Sequence, residues 1–166
     1  MDIVLDPPRG ITGIDLGLEP VEAFPAASVY GELRSSGQLG SSSPLKAVTT
    51  GTDTRMVLHF EDGKSLTAVE VWRPWDENAD VRVLYDGIDV FRTPALELLD
   101  ILRSRGITIE SDPAESHFAA PDVVLGFTRD AGHEVPLDTD DEPLYFESIL
   151  VAGPGYYDEV LPLWQE

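Results

Sequence analysis

The chain has 166 residues, 31 Asp and Glu against 11 Lys and Arg, a formal net charge of −20, and no cysteine. That length suits a single domain burying its own core, and the missing cysteines exclude disulfides, a thiolate nucleophile, iron–sulfur clusters and the common structural zinc sites. The charge disfavours nucleic acid and anionic membrane surfaces, which are bound through Lys and Arg, and favours a basic partner, divalent cations or simply solubility.

From the N-terminus, residues 1–8 lack the basic and apolar regions of a secretory signal. No apolar run approaches the roughly 20 residues of a membrane-spanning helix. The expected location is therefore the cytoplasm. Residues 3–5 read as a short strand ending at Pro7-Pro8. A weak helix is expected around residues 20–24, cut off by Pro25. Residues 35–44 are Ser/Gly-rich and read as a loop. Strands at 55–60 and 66–72 flank Asp62-Gly63, and strands at 81–85 and 88–91 flank Asp86-Gly87; both Asp-Gly pairs are turn signals.

The clearest helix spans residues 94–105. Thr93 is its expected cap and Pro94 suits its first turn. Ala95, Leu98, Leu99 and Leu102 form one apolar stripe, Arg103 and Arg105 complement the C-terminal dipole, and Gly106 stops it. Strands at 107–109, 123–127 and 144–151 complete the set, with an acidic loop over 130–143. Gly153-Pro154-Gly155 reads as a turn after the last strand, and Leu161, Leu163 and Trp164 as residues docking back on the sheet. The fold class is α+β: mostly antiparallel sheet, one or two helices, one domain over residues 1–166. Gly13-Ile14-Asp15-Leu16 is echoed by Gly87-Ile88-Asp89-Val90, and Val57-Leu58-His59-Phe60 by Val124-Leu125-Gly126-Phe127. Two unequal tandem copies of one unit, 1–80 and 81–166, are expected from this.

Chemistry-bearing motifs fail one after another. Asp138-Thr139-Asp140-Asp141-Glu142 starts like a calcium-binding loop, but Pro143 stands where glycine is needed and Ile149 where a bidentate acid is needed. The stretch from Asp76 to Asp80 fails in the same way, with Val81 and Gly87 at those places. Asp138, Asp140, Asp141 and Glu142 remain as acidic binding candidates, with no metal and no cofactor expected. His59, His117 and His133 are too scattered for a transition-metal site, and His133-Glu134 lacks the second histidine of a zincin, Leu137 standing in its place. His59 alternates along a strand and reads as a solvated position. Ser148 lies in no nucleophile elbow, and no Gly-rich loop is completed by Lys-Ser/Thr.

The aromatic residues are more informative. Trp72-Arg73-Pro74-Trp75 leaves one strand, and Tyr156-Tyr157 leaves another at the matching place of the second half. On one side of the sheet, Trp72, Trp75, Tyr156 and Tyr157 would form an aromatic binding cluster; otherwise they close the core beneath the loops. Arg129 is the only Lys or Arg after Arg105, so the acidity is directed toward the second half.

Pro7-Pro8-Arg9-Gly10-Ile11, Gly17-Leu18-Glu19-Pro20-Val21-Glu22-Ala23, Val69-Glu70-Val71-Trp72-Arg73-Pro74, Val83-Leu84-Tyr85-Asp86-Gly87-Ile88-Asp89-Val90-Phe91 and Tyr145-Phe146-Glu147-Ser148-Ile149-Leu150-Val151 resemble a group of uncharacterised actinobacterial proteins. That resemblance spans most of the chain and transfers no activity. Ile14 to Glu22 is similar, more loosely, to the strand-to-helix entry of tandem-repeat folds such as the β-lactamase inhibitor proteins. This implies their architecture and not inhibition, since the expected secretion signal and disulfides are missing and Phe91 replaces the second-half glycine. The expected function is a non-catalytic interaction protein of the immunity type with a basic partner. The alternative is a small-molecule-binding protein or enzyme using the four aromatic residues as a pocket.

Overall fold

Strand β1 (Asp2–Asp6) alternates buried Ile3 and Leu5 with exposed neighbours, the pattern of a strand with one face on a core. In the computed structural model, which describes residues 1–37, 39, 42–130 and 136–165, it is the middle of a five-stranded sheet. Antiparallel β2 (Gly10–Ile11) and β3 (Ile14–Asp15) lie on one side of it. On the other side β8 (Arg82–Tyr85) runs parallel to β1, with β9 (Ile88–Asp89) antiparallel beyond it. Parallel pairing needs a long crossover, and everything between the two strands supplies it. The β8–β9 turn places Asp86 and Gly87 at φ 48° and 81°, the left-handed pair that an Asp-Gly hairpin adopts.

The crossover contains helix α1 (Pro20–Ala27), a 3₁₀ turn (Ser28–Tyr30) and strands β4 (Glu32–Ser36), β5 (Leu45–Thr50), β6 (Arg55–Phe60) and β7 (Ala68–Trp72). After β9 come helix α2 (Ala95–Ser104), strands β10 (Glu110–Ser111), β11 (His117–Ala120), β12 (Leu125–Thr128) and β13 (Ser148–Ala152), and helix α3 (Tyr156–Trp164). Strands β4–β7 and β10–β13 make one antiparallel eight-stranded sheet in the order β10-β11-β12-β13-β7-β6-β5-β4. The halves meet at its centre, where β7 pairs with β13. They share an element order but not their content, since β2, the 3₁₀ turn and α3 have no counterpart, and two copies of one unit are not established by it. The α+β class with mostly antiparallel sheets stands.

One face of the eight-stranded sheet supplies Met56, Leu58, Phe60, Val69, Val71, Ile149 and Val151 to the main core, which also holds Ile3, Leu5 and Ile14 of the smaller sheet. Helix α2 adds Ala95, Leu98, Leu99 and Leu102, each at most 1% exposed, so the apolar stripe is seated as its spacing requires. Its C-terminus closes with Gly106 N donating to Arg103 O and Ile107 N to Leu102 O, the Schellman arrangement with Gly106 at φ 81°. That closure turns residues 107–109 away from strand geometry, and the strand expected there begins instead at Glu110. The N-terminal cap also differs from expectation. Thr93 donates its hydroxyl to Asp89 O at 2.7 Å, Pro94 is the cap residue, and Ala95 N is satisfied by Leu144 O at 2.7 Å.

Helix α1 runs through Pro25 to Ala27 rather than stopping before it. The proline leaves only the Val21 carbonyl without its helical donor, and Val21 is exposed to solvent. Two further departures are β4 and β5, which take up part of the expected loop and the residues after it. Strand β11 lies where no strand was expected, and α3 follows Gly153-Pro154-Gly155 where a plain turn was expected.

Candidate functional site

The second face of the eight-stranded sheet is treated differently along its length. Alternation from the core residues puts Arg55, Val57 and His59 of β6 on this face, then Ala68, Glu70 and Trp72 of β7, and Ser148, Leu150 and Ala152 of β13. Helix α3 covers one part, with Tyr157 packed among Ala68, Ala119, Val124 and Ala152. It lies this close because β12 carries Gly126 there: a methyl group at that position would collide with the Tyr157 hydroxyl.

Glu70 sits at the centre of the face, opposite Val57 on one side and Leu150 on the other. Ser148, 1% exposed, donates its hydroxyl to Glu70 Oε1 at 2.7 Å. His59 Nε2 stands 3.5 Å from Glu70 Oε2, and that nitrogen is buried without a hydrogen bond. The His59 side chain is 12% exposed, so it is not the solvated position its alternation suggested. Burial acts to raise the Glu70 carboxyl, but His59 and Ser148, helped by Lys46, outweigh it and hold Glu70 below its ordinary value. Nearby Glu147 is pushed up instead, by burial first, then by Asp130 and Glu70, against the pull of Arg55. The order serine–carboxylate–imidazole is not that of a hydrolase triad, in which histidine must lie between. Here the serine proton points into the carboxylate, and the hydroxyl is closed to substrate. This network fixes the middle of the sheet.

Antiparallel pairing decides the aromatic candidates. Trp72 is opposite Ser148, while Ala68 is opposite Ala152. The chain therefore leaves β7 toward Trp75 at one end of the pair and leaves β13 toward Tyr156 at the other, about 14 Å apart along the strands. Trp72, Trp75, Tyr156 and Tyr157 do not form one cluster, and the expected four-ring pocket is corrected. Trp72 is half-buried beneath the Arg55 guanidinium, 4.8 Å from the ring centroid. Tyr156 and Tyr157 meet edge to face at 5.1 Å within α3. Trp75 alone is thrust into solvent, 82% exposed.

The acidic loop is likewise divided. Asp138 Oδ1 accepts the amides of Asp140 and Glu142 at 2.8 and 3.1 Å, and Oδ2 accepts Arg129 Nη2 at 2.9 Å. Arg129 Nε also donates to Pro143 O at 2.8 Å. Asp138 therefore shapes its own turn, and those same backbone and Arg129 bonds hold its carboxyl below the ordinary range. Asp140, Asp141 and Glu142 stay exposed. His117 is paired with Asp112, Nδ1 to Oδ2 at 3.1 Å, and His133 and Glu134 lie outside the described residues. Among the described residues no group of three or more acidic or histidine side chains is arranged to hold a metal ion, and no helix is long and apolar enough to cross a membrane.

Trp75 belongs to the loop after β7, and its neighbours Pro74 and Asp76 line a cleft of about 280 Å³ together with Glu77, Asp89 and Tyr145. The two arginines in its wall are committed inward. Arg73 lies over the Tyr145 ring at 4.8 Å and pairs with Glu77 at 3.5 Å. Arg92 donates to the carbonyls of Val81 and Ala79 and pairs with Asp89 at 3.1 Å. Over the described residues, every Lys or Arg except Lys46, Arg55 and Lys64 pairs with a carboxylate. The unbalanced charge of the surface is thus overwhelmingly acidic. The exposure of Trp75 was not legible in the sequence, because the loop after β7 carries no periodicity from which the direction of a side chain follows.

No family model, curated protein or solved structure matches this chain.

Proposed function

We propose that this is a non-catalytic interaction protein, of the immunity type, that binds and neutralises a basic protein through Trp75 and the exposed acids Asp76, Glu77 and Asp80 beside it. The observation that carries this reading is Trp75 itself. An indole 82% exposed gains nothing from solvent, and tryptophan is the side chain most enriched among residues that dominate interface energies. Asp76, Glu77 and Asp80 surround it in sequence, all exposed; Glu77 is paired with Arg73 and Asp80 lies 3.9 Å from the N-terminal amine, so Asp76 is the uncompensated charge that a partner seating the indole meets at the rim. Rim charge of this kind accelerates and orients encounter with a cation-rich surface more than it adds affinity. A charge of −20 extends the same steering over the whole molecule and works against nucleic acid. A reducing, cytoplasmic setting belongs to the same reading, in keeping with a chain free of cysteine.

The test is kinetic. The protein is immobilised, its partner captured from the native host at low salt, and the association rate of the purified pair followed as ionic strength rises. A captured protein of high isoelectric point whose association rate falls steeply with salt supports the proposal. An acidic or neutral partner, or an association rate indifferent to salt, contradicts it.

A further inference from the structure

A second and larger cleft, about 670 Å³, opens at the other end of the β7–β13 pair, where the first turn of α3 passes the β6–β7 connection and the β1–β2 turn. Its walls include Leu16, Leu66 and Val160; its polar groups include Glu61, Glu159 and Tyr156. No Lys or Arg lines it, and among the described residues neither Glu61 nor Glu159 takes part in an ion pair, although most cations of the chain do. The cleft is thus apolar along its sides and uncompensated in charge. Its volume lies in the range of ordinary ligand sites.

We infer that this cleft receives a lysine or arginine side chain of the basic partner, the aliphatic stem lying against the half-buried Leu16 and Val160 and the charged head meeting Glu61 and Glu159. The inference rests on the basic partner proposed above and names a second anchor for it, remote from Trp75. Long cationic side chains bury their methylene stems on apolar surface while keeping the head group solvated or paired, and the cleft offers both environments. An anion would find no cation to meet it. A hard metal ion would find too few oxygens and too much hydrocarbon. The start of α3 carries a partial positive charge, which Asp158 and Glu159 in its first turn offset. Tyr156 adds a donor or acceptor at the same place: burial, then Glu61 and Glu70, push its phenol up, so it keeps its proton at neutral pH.

The experiment uses the intact protein and a small probe, so it does not depend on finding the partner. Acetyl-arginine methylamide is titrated against the isotopically labelled protein, with the neutral isostere acetyl-citrulline methylamide as control. The expected result is a saturable shift of the Gly17, Gly153 and Glu159 amides with the arginine compound alone. Glu61→Gln and Glu159→Gln, both at exposed positions, should each weaken it roughly tenfold, the worth of one charge-assisted hydrogen bond. Their unchanged amide dispersion confirms that they remain folded. Equal shifts with citrulline, no saturable shift, or binding that survives both substitutions would overturn the inference. If a basic partner is nonetheless captured with a salt-sensitive rate, the proposed function stands and only the cleft is discarded; if arginine binds but no basic partner exists, the proposed function is discarded and the cleft remains a site for an arginine side chain alone.

Discussion

Gly126→Ala probes how α3 is held on the sheet. The new methyl group would occupy the space of the Tyr157 hydroxyl and come within 3.3 Å of Tyr157 Cζ and 3.5 Å of Leu150 Cβ. Gly126 does not have the positive φ that would itself penalise alanine. Alanine restricts the unfolded chain, a gain of about 0.4–1 kcal/mol, whereas overpacking a close contact costs about 1–3 kcal/mol. The collision wins, leaving a net loss of about 1–2 kcal/mol, or roughly 2–8 °C in Tm for a chain of this size. Thermal and urea denaturation followed by circular dichroism measure it. Tyr157→Phe removes the colliding oxygen, which makes no hydrogen bond among the described residues. Combined with Gly126→Ala, it should restore most of the loss, with a coupling of about 0.5–2 kcal/mol. Gly126→Ala melting at or above the wild type, or a double variant no better than the single, would refute this docking of α3.

Three other perturbations address the core, the buried carboxylate and the acidic loop. Leu98→Ala empties a fully buried site in α2 and should cost about 2–5 kcal/mol by urea unfolding; a loss below 1 kcal/mol (about the scatter of surface substitutions) would contradict its place in the core. Glu70 is held below its ordinary value of 4.5, so its stabilising contribution is complete above that pH and disappears as pH falls through the lower folded value. Stability of Glu70→Gln, measured from pH 7 downward, should therefore fall less over the acid range than that of the wild type (the starting pH being about neutral), and parallel curves would contradict the linkage. Because Asp138 is already engaged by Arg129 and two backbone amides, added calcium should leave Tm unchanged. A saturable rise in Tm with calcium would show that the loop is a cation site after all.

Local signals were legible in the sequence, and long-range ones were not. Helix α2 announced itself because stripe, first turn and terminal glycine lie within one stretch of chain, and the Asp86-Gly87 hairpin because its turn demands two left-handed residues. Helix α3 was hidden. It opens on Gly-Pro-Gly, contains Pro162, and its apolar residues answer Ala68, Ala119 and Ala152 on strands distant in sequence. Strand β5 carries an alternation of buried Leu45, Ala47 and Thr49, but its short and hydroxylic residues resemble the preceding Ser-rich loop. The site suffered most. Glu70, His59 and Ser148 meet through the register of three strands, and the opposite directions of β7 and β13 separate the tryptophans from the tyrosines. Neither register nor direction is written in any one segment, so residue type suggested the aromatic anchors while only the fold could sort them.

The central claim is that Trp75 anchors a basic partner, and the affinity of that partner for Trp75→Ala tests it most directly. Position 75 is exposed, so the substitution should change stability by no more than about 0.5 kcal/mol, roughly 1–2 °C in Tm, while weakening binding by at least about 30-fold, the 2 kcal/mol that marks a dominant interface residue. An unchanged dissociation constant, with the partner still bound at full affinity, would contradict the account.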